Sequence, residues 1–176
     1  MELVEPSATY KDSFIEAVGE YKNESETEST RGYRHLVVEE IEDDFENFVE
    51  CERSHAEGEN LPEGYVPQSE YWLVDGGEYI GHVRIRHRLT EHLREIGGHI
   101  GYDIRPGKRG RGYGNKILEL ALKKAKEMGI EKVRITCDVD NVPSRKIIEK
   151  NGGMLENEAP NPETGVNKAR FWIENK

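Results

Sequence analysis

The chain has 176 residues, which suits one domain with a buried core, and a net charge of −10 that argues against general nucleic-acid binding and would suit a cationic substrate. Two cysteines, Cys51 and Cys137, are too few for a disulfide framework and favour a reducing, cytoplasmic setting. The first residues contain neither a basic region nor an apolar stretch, so no signal peptide, transmembrane segment or membrane partner is expected.

The first 68 residues predict a short strand and two helices but carry no recognisable motif. The strand is expected at residues 2–4, and a helix at 8–21 with Ser7 as its cap. Residues 22–32 are polar and acidic and predict a loop. Apolar residues recur at helical spacing over residues 39–55, and a proline-containing loop follows at 56–68.

A β-hairpin is predicted next, with strands at residues 71–74 and 79–88 around Gly76 and Gly77. Paired glycines are typical of a two-residue primed turn. Residues 89–97 predict a connecting loop. A further strand at residues 98–105 alternates two faces, so that His99 and Asp103 share one of them.

The strongest functional signal lies at residues 109–114, which read Arg-Gly-Arg-Gly-Tyr-Gly between that strand and a predicted helix at 115–128. The backbone N–H groups of such a loop, together with a helix N-terminus, can enclose a phosphate. The spacing is neither that of a P-loop nor that of the dinucleotide fingerprint. A phosphate-bearing cofactor is therefore expected; the alternative is that the glycines merely make a tight bend.

The chain continues with a predicted strand at residues 133–137, a helix at 143–150 and two strands near 154–155 and 169–173. The segment Asn141-x-x-Ser144 opens that helix, and Glu-Lys-Asn-Gly-Gly closes it. Cys137 is expected to be a small buried hydrophobe in its strand. Together with Arg109-x-x-Gly112-x-Gly114, this order of motifs resembles the GNAT acetyltransferase superfamily over roughly residues 70–175.

The resemblance implies a single GNAT-like domain of α/β (α+β) class, with a mixed, mostly antiparallel central sheet flanked by helices. Residues 1–68 would form a variable acceptor-side half and residues 70–175 the acetyl-CoA-binding core. The implied reaction moves an acetyl group from acetyl-CoA directly to a primary amine of a small molecule or a protein, with no metal. The strand is expected to splay near residues 103–105. The residues implied to bind the coenzyme are Ile104, Arg105, Arg109, Gly110, Arg111, Gly112, Tyr113, Gly114, Asn115, Asn141 and Ser144.

The resemblance also suggests where the catalytic base lies. Several family members carry a glutamate on the strand before the glycine loop, and His99 stands in that register. An imidazole with a pKa of about 6.5 suits base catalysis at neutral pH. Asp103 is a rival base or an orienting partner. Weaker candidates are Glu70, His82 and His92. The position of the family's tyrosine acid is occupied by Ile148, so no acid is assigned.

Two other functions stay open. Without the usual glutamate and tyrosine, the chain could be a non-catalytic acyl-CoA-binding sensor or regulatory domain. An RNA-binding domain is disfavoured by the net charge and by the lack of aromatic residues among the basic ones. The basic residues concerned are Arg84, Arg86, Arg105, Lys108, Arg109 and Arg111. The sequence does not identify the acceptor amine, and it is compatible with a monomer and with a homodimer.

Overall fold

The computed structural model describes residues 1–24, 33 and 35–175. Helices and strands alternate along this part of the chain. In chain order they are β1 Glu2–Val4, α1 Lys11–Lys22, α2 Val38–Asp43, α3 Phe45–Ser54, β2 Gln68–Asp75, β3 Glu78–Arg86, α4 Glu91–Ile96, β4 Ile100–Ile104, α5 Tyr113–Glu127, β5 Lys132–Asp138, α6 Val142–Lys150, β6 Met154–Pro160 and β7 Asn167–Glu174.

The strands form two antiparallel sheets. One has the order β1-β2-β3-β4 and the other β5-β7-β6. A single antiparallel bridge, between Gly98 and Ile135, joins the start of β4 to β5. The predicted fold class, a mostly antiparallel central sheet flanked by helices, is confirmed.

Two apolar clusters hold the helices to the sheets. The first fills the space between the sheets and α5, and it includes Leu73, Val83, Ile85, Ile117, Leu118, Ile148 and Phe171. The second lies on the opposite face of the four-stranded sheet, under α1 and α3. There Phe14 stacks on Trp72 with ring centroids 4.6 Å apart. Each large apolar side chain buried in this way contributes about 1.5–3 kcal/mol.

The predicted β-hairpin is present, and its strands β2 and β3 pair from Gln68↔Arg86 to Asp75↔Glu78. Gly76 and Gly77 both have positive φ, at 58° and 85°. Two successive left-handed residues make the primed turn that matches strand twist. The register of this hairpin brings Arg84 opposite Glu70, and His82 opposite Trp72.

Other predicted elements need correction. Residues 89–97 are not a plain loop, because α4 forms there with the Thr90 hydroxyl accepting from the Leu93 N–H. The single helix predicted at 39–55 is two helices, since Asp44 leaves helical geometry at φ −140° and ψ 63° and caps α3. α1 is preceded by a turn of 3₁₀ helix at Ala8–Tyr10, which Ser7 caps. Of the predicted loop at 22–32, residues 25–32 lie outside the described part.

Candidate active site

The site lies where β4 and β5 separate. At Gly98 the two strands are bridged, and the His99 N–H donates to the Arg134 carbonyl at 2.7 Å. Gly98 has φ +73°, and a Cβ there would lie 2.4 Å from the Arg134 carbonyl oxygen, so only glycine permits this approach. Beyond this point β4 pairs with β3 alone within the described residues. The strands therefore separate before residues 103–105, where the splay was predicted, and the N–H groups of Ile104 and Arg105 are not free, because they donate to Asp103 Oδ1 and to the Ile80 carbonyl.

The glycine loop at residues 109–114 presents a row of free backbone donors. The N–H groups of residues 110–114 have no hydrogen-bond partner within the described part of the chain. Gly112, with φ +86°, precedes α5, whose first internal bonds run from Asn115 and Lys116 to the Gly112 carbonyl. A Cβ at Gly110 or Gly112 would meet no atom within 4 Å. Five successive unpaired donors at a helix N-terminus form a cradle for an anion.

Buried ion pairs fix this loop to α1. Arg105 is 2% exposed, and its guanidinium bonds to Glu20 through Nε at 3.2 Å and through Nη2 at 2.5 Å. The other oxygen of Glu20 accepts from the Gly107 N–H at 2.9 Å. Burial acts to raise the pKa of Glu20, but its bonds to Arg105 and Gly107 outweigh burial and lower it. Arg105 therefore supports the loop through Glu20. Its side chain does not line either of the two cavities described below.

Arg109 ties the loop to the end of β4. Its Nε donates to the Ile104 carbonyl at 2.8 Å, and its Nη2 to Asp103 Oδ1 at 3.1 Å. Its Nη1 bonds to Glu24 at 2.5 Å. This loop arginine is therefore held by three partners and positions the carboxylate of Asp103.

A cavity of about 390 Å³ opens in front of the loop, and we call it the coenzyme cavity. Its lining includes seven of the residues predicted to bind the coenzyme: Ile104, Arg109, Gly110, Tyr113, Gly114, Asn141 and Ser144. The four others, Arg105, Arg111, Gly112 and Asn115, do not line it. Gly112 nevertheless belongs to the row of free N–H donors.

A second cavity of about 290 Å³, which we call the acceptor cavity, lies between the diverging strands. β3 contributes His82, Arg84 and Arg86 to its lining, and β4 and β5 contribute residues 100–103 and 135–138. The two cavities share four residues: Tyr102, Asp103, Asn141 and Ser144. A group bound in one cavity can therefore meet a group bound in the other at these four side chains.

Asp103 has the features of a base at this junction. Its Oδ1 accepts from the Ile104 N–H at 2.7 Å and from Arg109, whereas its buried Oδ2 has no partner in the described structure. Burial raises the pKa of Asp103 to about 6, against the opposing effect of Arg109. The free oxygen can accept a proton, and at neutral pH the carboxyl group is mostly ionised.

His99 is placed differently from Asp103. Its ring is 9% exposed, and its Nδ1 accepts the Arg134 N–H at 2.9 Å. Burial, with help from Arg86 and Arg94, lowers the pKa of His99 to about 4. It lines neither cavity. The two residues predicted as catalytic are thus not brought to one place, and the role of His99 as base stays a prediction from the sequence.

Two hydroxyl groups also face the junction. Tyr102 Oη lies 3.2 Å from Ser144 Oγ, and burial raises the pKa of Tyr102 to about 12. Asn141 accepts the Ser144 N–H at 3.0 Å and so caps α6. Ile148 is fully buried in the core. Tyr102 was not among the residues predicted for the site, although the alternation of β4 and the spacing Asn141-x-x-Ser144 are both present in the sequence.

The weaker candidates are dispersed. Glu70 is buried and bonds to Arg84 and to Tyr33, and burial raises its pKa to about 7. His82 lines the acceptor cavity, and burial lowers its pKa well below the usual value. His92 is exposed and lies 3.5 Å from Glu163.

Neither cysteine forms a disulfide, and the described residues offer no metal site. Cys51 and Cys137 are free, and burial raises the pKa of Cys137 to about 11, so its thiol is neutral. The described residues contain no group of three or more His, Cys, Asp or Glu side chains that could hold a metal ion. In the same part of the chain, no helix has the length and apolar character needed to cross a membrane.

Comparison with known proteins gives a family and a set of structural neighbours. The family model of the acetyltransferase (GNAT) domain matches residues 11–154. No curated protein sequence matches the chain.

Three solved structures illustrate the structural likeness. The ribosomal L7/L12 alpha-N-protein acetyltransferase RimL, in complex with coenzyme A, has 17% identity and a TM-score of 0.67, with 99% of this chain and 94% of that chain covered. A GNAT-family acetyltransferase from Streptococcus pneumoniae has 18% identity and a TM-score of 0.63, covering 97% and 95%. A variant of the spermidine N-acetyltransferase SpeG from Vibrio cholerae has 15% identity and a TM-score of 0.56, covering 99% and 94%. These likenesses establish the fold alone.

Proposed function

Because this chain belongs to the GNAT acetyltransferase family and transfers acetyl groups from acetyl-CoA to an amine, we propose that Asp103 is the base of that reaction. The observation that carries the proposal is that Asp103, whose Oδ2 has no partner among the described residues, lines both the coenzyme cavity and the acceptor cavity.

The residues present fit the coenzyme. The five unpaired N–H groups of residues 110–114 suit the diphosphate, and the helix N-terminus adds partial positive charge there. Tyr113, Asn141 and Ser144 line the rest of the coenzyme cavity and would border the pantetheine arm. When bound, acetyl-CoA supplies the activated acetyl group.

Asp103 takes the proton that the amine loses. A lysine-like amine with a pKa of about 10.4 costs roughly 4–5 kcal/mol to deprotonate at neutral pH. A positioned base shares this cost and contributes about 10²–10⁴-fold in rate. Arg109 holds Oδ1, which leaves Oδ2 without a hydrogen-bond partner among the described residues. On becoming an amide the ammonium loses two protons: one passes through Asp103 to solvent, and the other, from the nitrogen of the intermediate, protonates the departing thiolate.

The hydroxyl groups of Tyr102 and Ser144 supply hydrogen bonds at the junction. They lie 3.2 Å apart, and either can donate to the other while the second donates into the cavities. Since burial raises the pKa of Tyr102 to about 12, its hydroxyl stays protonated over the working pH range. We propose that this pair stabilises the negative charge that develops on the reacting oxygen or sulfur atom during acetyl transfer.

The acceptor is an amine, and its finer identity is open to experiment. Two structural neighbours carry names that specify a protein α-amino group and spermidine, which supports both a peptide and a small amine as acceptor classes. Five points stay predictions from the sequence: a cationic acceptor, a homodimer, a cytoplasmic location, a single domain and the acceptor-side role of residues 1–68. Glu20 of α1, which lies in that first half, also supports the coenzyme loop.

Two measurements test this function. Acetyl-CoA should raise the melting temperature of the protein, since a ligand that binds only the native state stabilises it. Release of free thiol from acetyl-CoA should then depend on an added amine, with the acetylated amine identified by mass spectrometry. Stabilisation without thiol release over a broad panel of peptides, polyamines and amino acids would favour the sensor function instead.

A further inference from the structure

Arg86 is a cation on the wall of the acceptor cavity that forms no ion pair with the described residues. It lies at the end of β3, on the same face as His82 and Arg84. Its side chain is half-buried, and Nη1 donates to the Gly98 carbonyl at 3.0 Å. That is its one hydrogen bond from the side chain within the described part of the structure. Burial and the neighbouring charge of Arg84 lower the pKa of Arg86.

The other charged side chains of the acceptor cavity all have partners of opposite charge. Arg84 bonds to Glu70 at 2.6 Å and lies 3.6 Å from Glu52. The remaining pairs are Asp103 with Arg109 and Asp138 with Lys168. Arg86 therefore stands out from its neighbours, because no described carboxylate forms an ion pair with it; Glu70, which acts to raise its pKa, is bonded to Arg84.

A partly desolvated guanidinium beside a second cation is unfavourable, and an oxyanion relieves that cost through charge-assisted hydrogen bonds. We propose that the acceptor carries, besides its amine, an oxyanion that binds Arg86. The proposal rests on the function proposed above and names the substrate class of the same site. It differs from the cationic acceptor that the overall charge of −10 suggested, because Arg86 adds a positive charge without an ion pair to the cavity wall.

The fold sets the distance between the two groups of the acceptor. A Cβ at Gly101 would lie 3.8 Å from Arg86 Nη1, so the guanidinium is close to Gly101. Gly101 and Asp103 are two residues apart on β4, which corresponds to roughly 7 Å. The acceptor should therefore hold its amine and its oxyanion about 7–9 Å apart, by the same strand geometry. An extended dipeptide or a 6-aminohexanoate chain spans this distance, whereas glycine does not.

The kinetic test compares acceptors of matched shape. Wild-type protein should acetylate 6-aminohexanoate with a kcat/KM about 10- to 100-fold above that of 6-aminohexanamide, from the usual strength of hydrogen bonds to charged groups. Glycine should be a poor acceptor. Arg86→Gln should abolish this preference without changing the KM for acetyl-CoA, and Arg86→Lys should keep part of it. Arg88→Gln, which removes an exposed cation two residues further on, is the control and should behave as wild type.

A parallel assay with 5-aminopentylphosphonate as the acceptor distinguishes a phosphate-like oxyanion from a carboxylate. Preference for the phosphonate over the carboxylate supports the same site with a phosphate as its anion. Equal use of the acid and the amide by wild-type protein overturns the proposal. So does a preference for the acid that survives in Arg86→Gln.

A binding experiment separates this proposal from the catalytic one. The product 6-acetamidohexanoate needs no acetyl transfer, so its affinity can be measured by calorimetry in the presence of CoA. Wild-type protein should bind it at least about 10-fold more tightly than Arg86→Gln does, in line with the loss of a charged hydrogen bond. If this difference in affinity is found but no amine is acetylated, the proposed function is wrong and the oxyanion site is supported. Equal or unmeasurable binding to both proteins overturns the site, whatever the turnover.

Discussion

Replacing Asp103 with asparagine should abolish most of the acetyl transfer and, at the same time, stabilise the protein at neutral pH. Asparagine keeps the shape of the side chain and an oxygen that can accept from the Ile104 N–H. The substitution removes the negative charge of Asp103, which burial disfavours. It also removes the carboxylate that we propose accepts the amine proton. Few substitutions of a buried polar residue are expected to raise stability, so the pair of effects is distinctive.

The magnitude follows from the pKa of Asp103, which burial raises from 3.8 to about 6. A shift of about two units, at about 1.36 kcal/mol per unit, corresponds to about 3 kcal/mol. The native state binds this proton more tightly than the unfolded state does. The proton on Asp103 therefore stabilises the wild-type native state below pH 4, and this stabilisation is lost as the pH rises through 6. Asp103→Asn should recover up to about 3 kcal/mol at pH 8 and close to nothing at pH 4.

Urea unfolding of both proteins at pH 4 and pH 8 measures the stability difference, and thiol release measures turnover. Turnover should fall by about 10²–10⁴-fold, and kcat/KM of the wild type should rise with pH through about 6. Asp138→Asn is the matched control in the same cavity. It removes the partner of Lys168 and should gain no stability. A less stable Asp103→Asn protein at pH 8, or one with unchanged turnover, would refute this reasoning.

The remaining predictions concern the loop and the rival base. His99→Ala should keep turnover within a few-fold and cost about 1–3 kcal/mol in urea unfolding, because a buried N–H loses its acceptor; a hundredfold loss of kcat would support His99 as the base. Gly112→Val should weaken acetyl-CoA binding at least about 10-fold by calorimetry, since its side chain enters the anion cradle. Gly129→Val, which has a similar φ of +78° at the far end of α5, controls for backbone strain and should bind normally. Glu20→Gln should raise the Kd for acetyl-CoA about 3- to 10-fold, whereas Glu16→Gln, which pairs with Arg105 but does not touch Gly107, should not.

The parts of the fold that the sequence predicted well are those with local signals. Gly76 and Gly77 require positive φ at two successive positions, which is enough to identify the hairpin turn. The apolar spacing after residue 114 identifies α5, although the helix begins two residues earlier, at Tyr113, after the left-handed Gly112. α4 was missed because a six-residue helix has too few turns for its period to be read, and Thr90 was its main signal.

The candidate site depends on contacts that no local pattern encodes. Alternation along β4 puts His99 and Asp103 on one face, yet the bridge at Gly98 turns His99 toward the backbone of Arg134. Only the separation of β5 from β4 decides which side chain reaches a cavity. The contact from Glu20 to Gly107 spans 87 residues and could not be read from spacing.

We propose that the free N–H groups of residues 110–114 bind the diphosphate of acetyl-CoA. A crystal structure of the complex tests it most directly. We expect phosphate oxygens within about 3 Å of several of these five nitrogens, which is the usual hydrogen-bond distance. A complex in which the diphosphate lies elsewhere and these N–H groups face only solvent would contradict it.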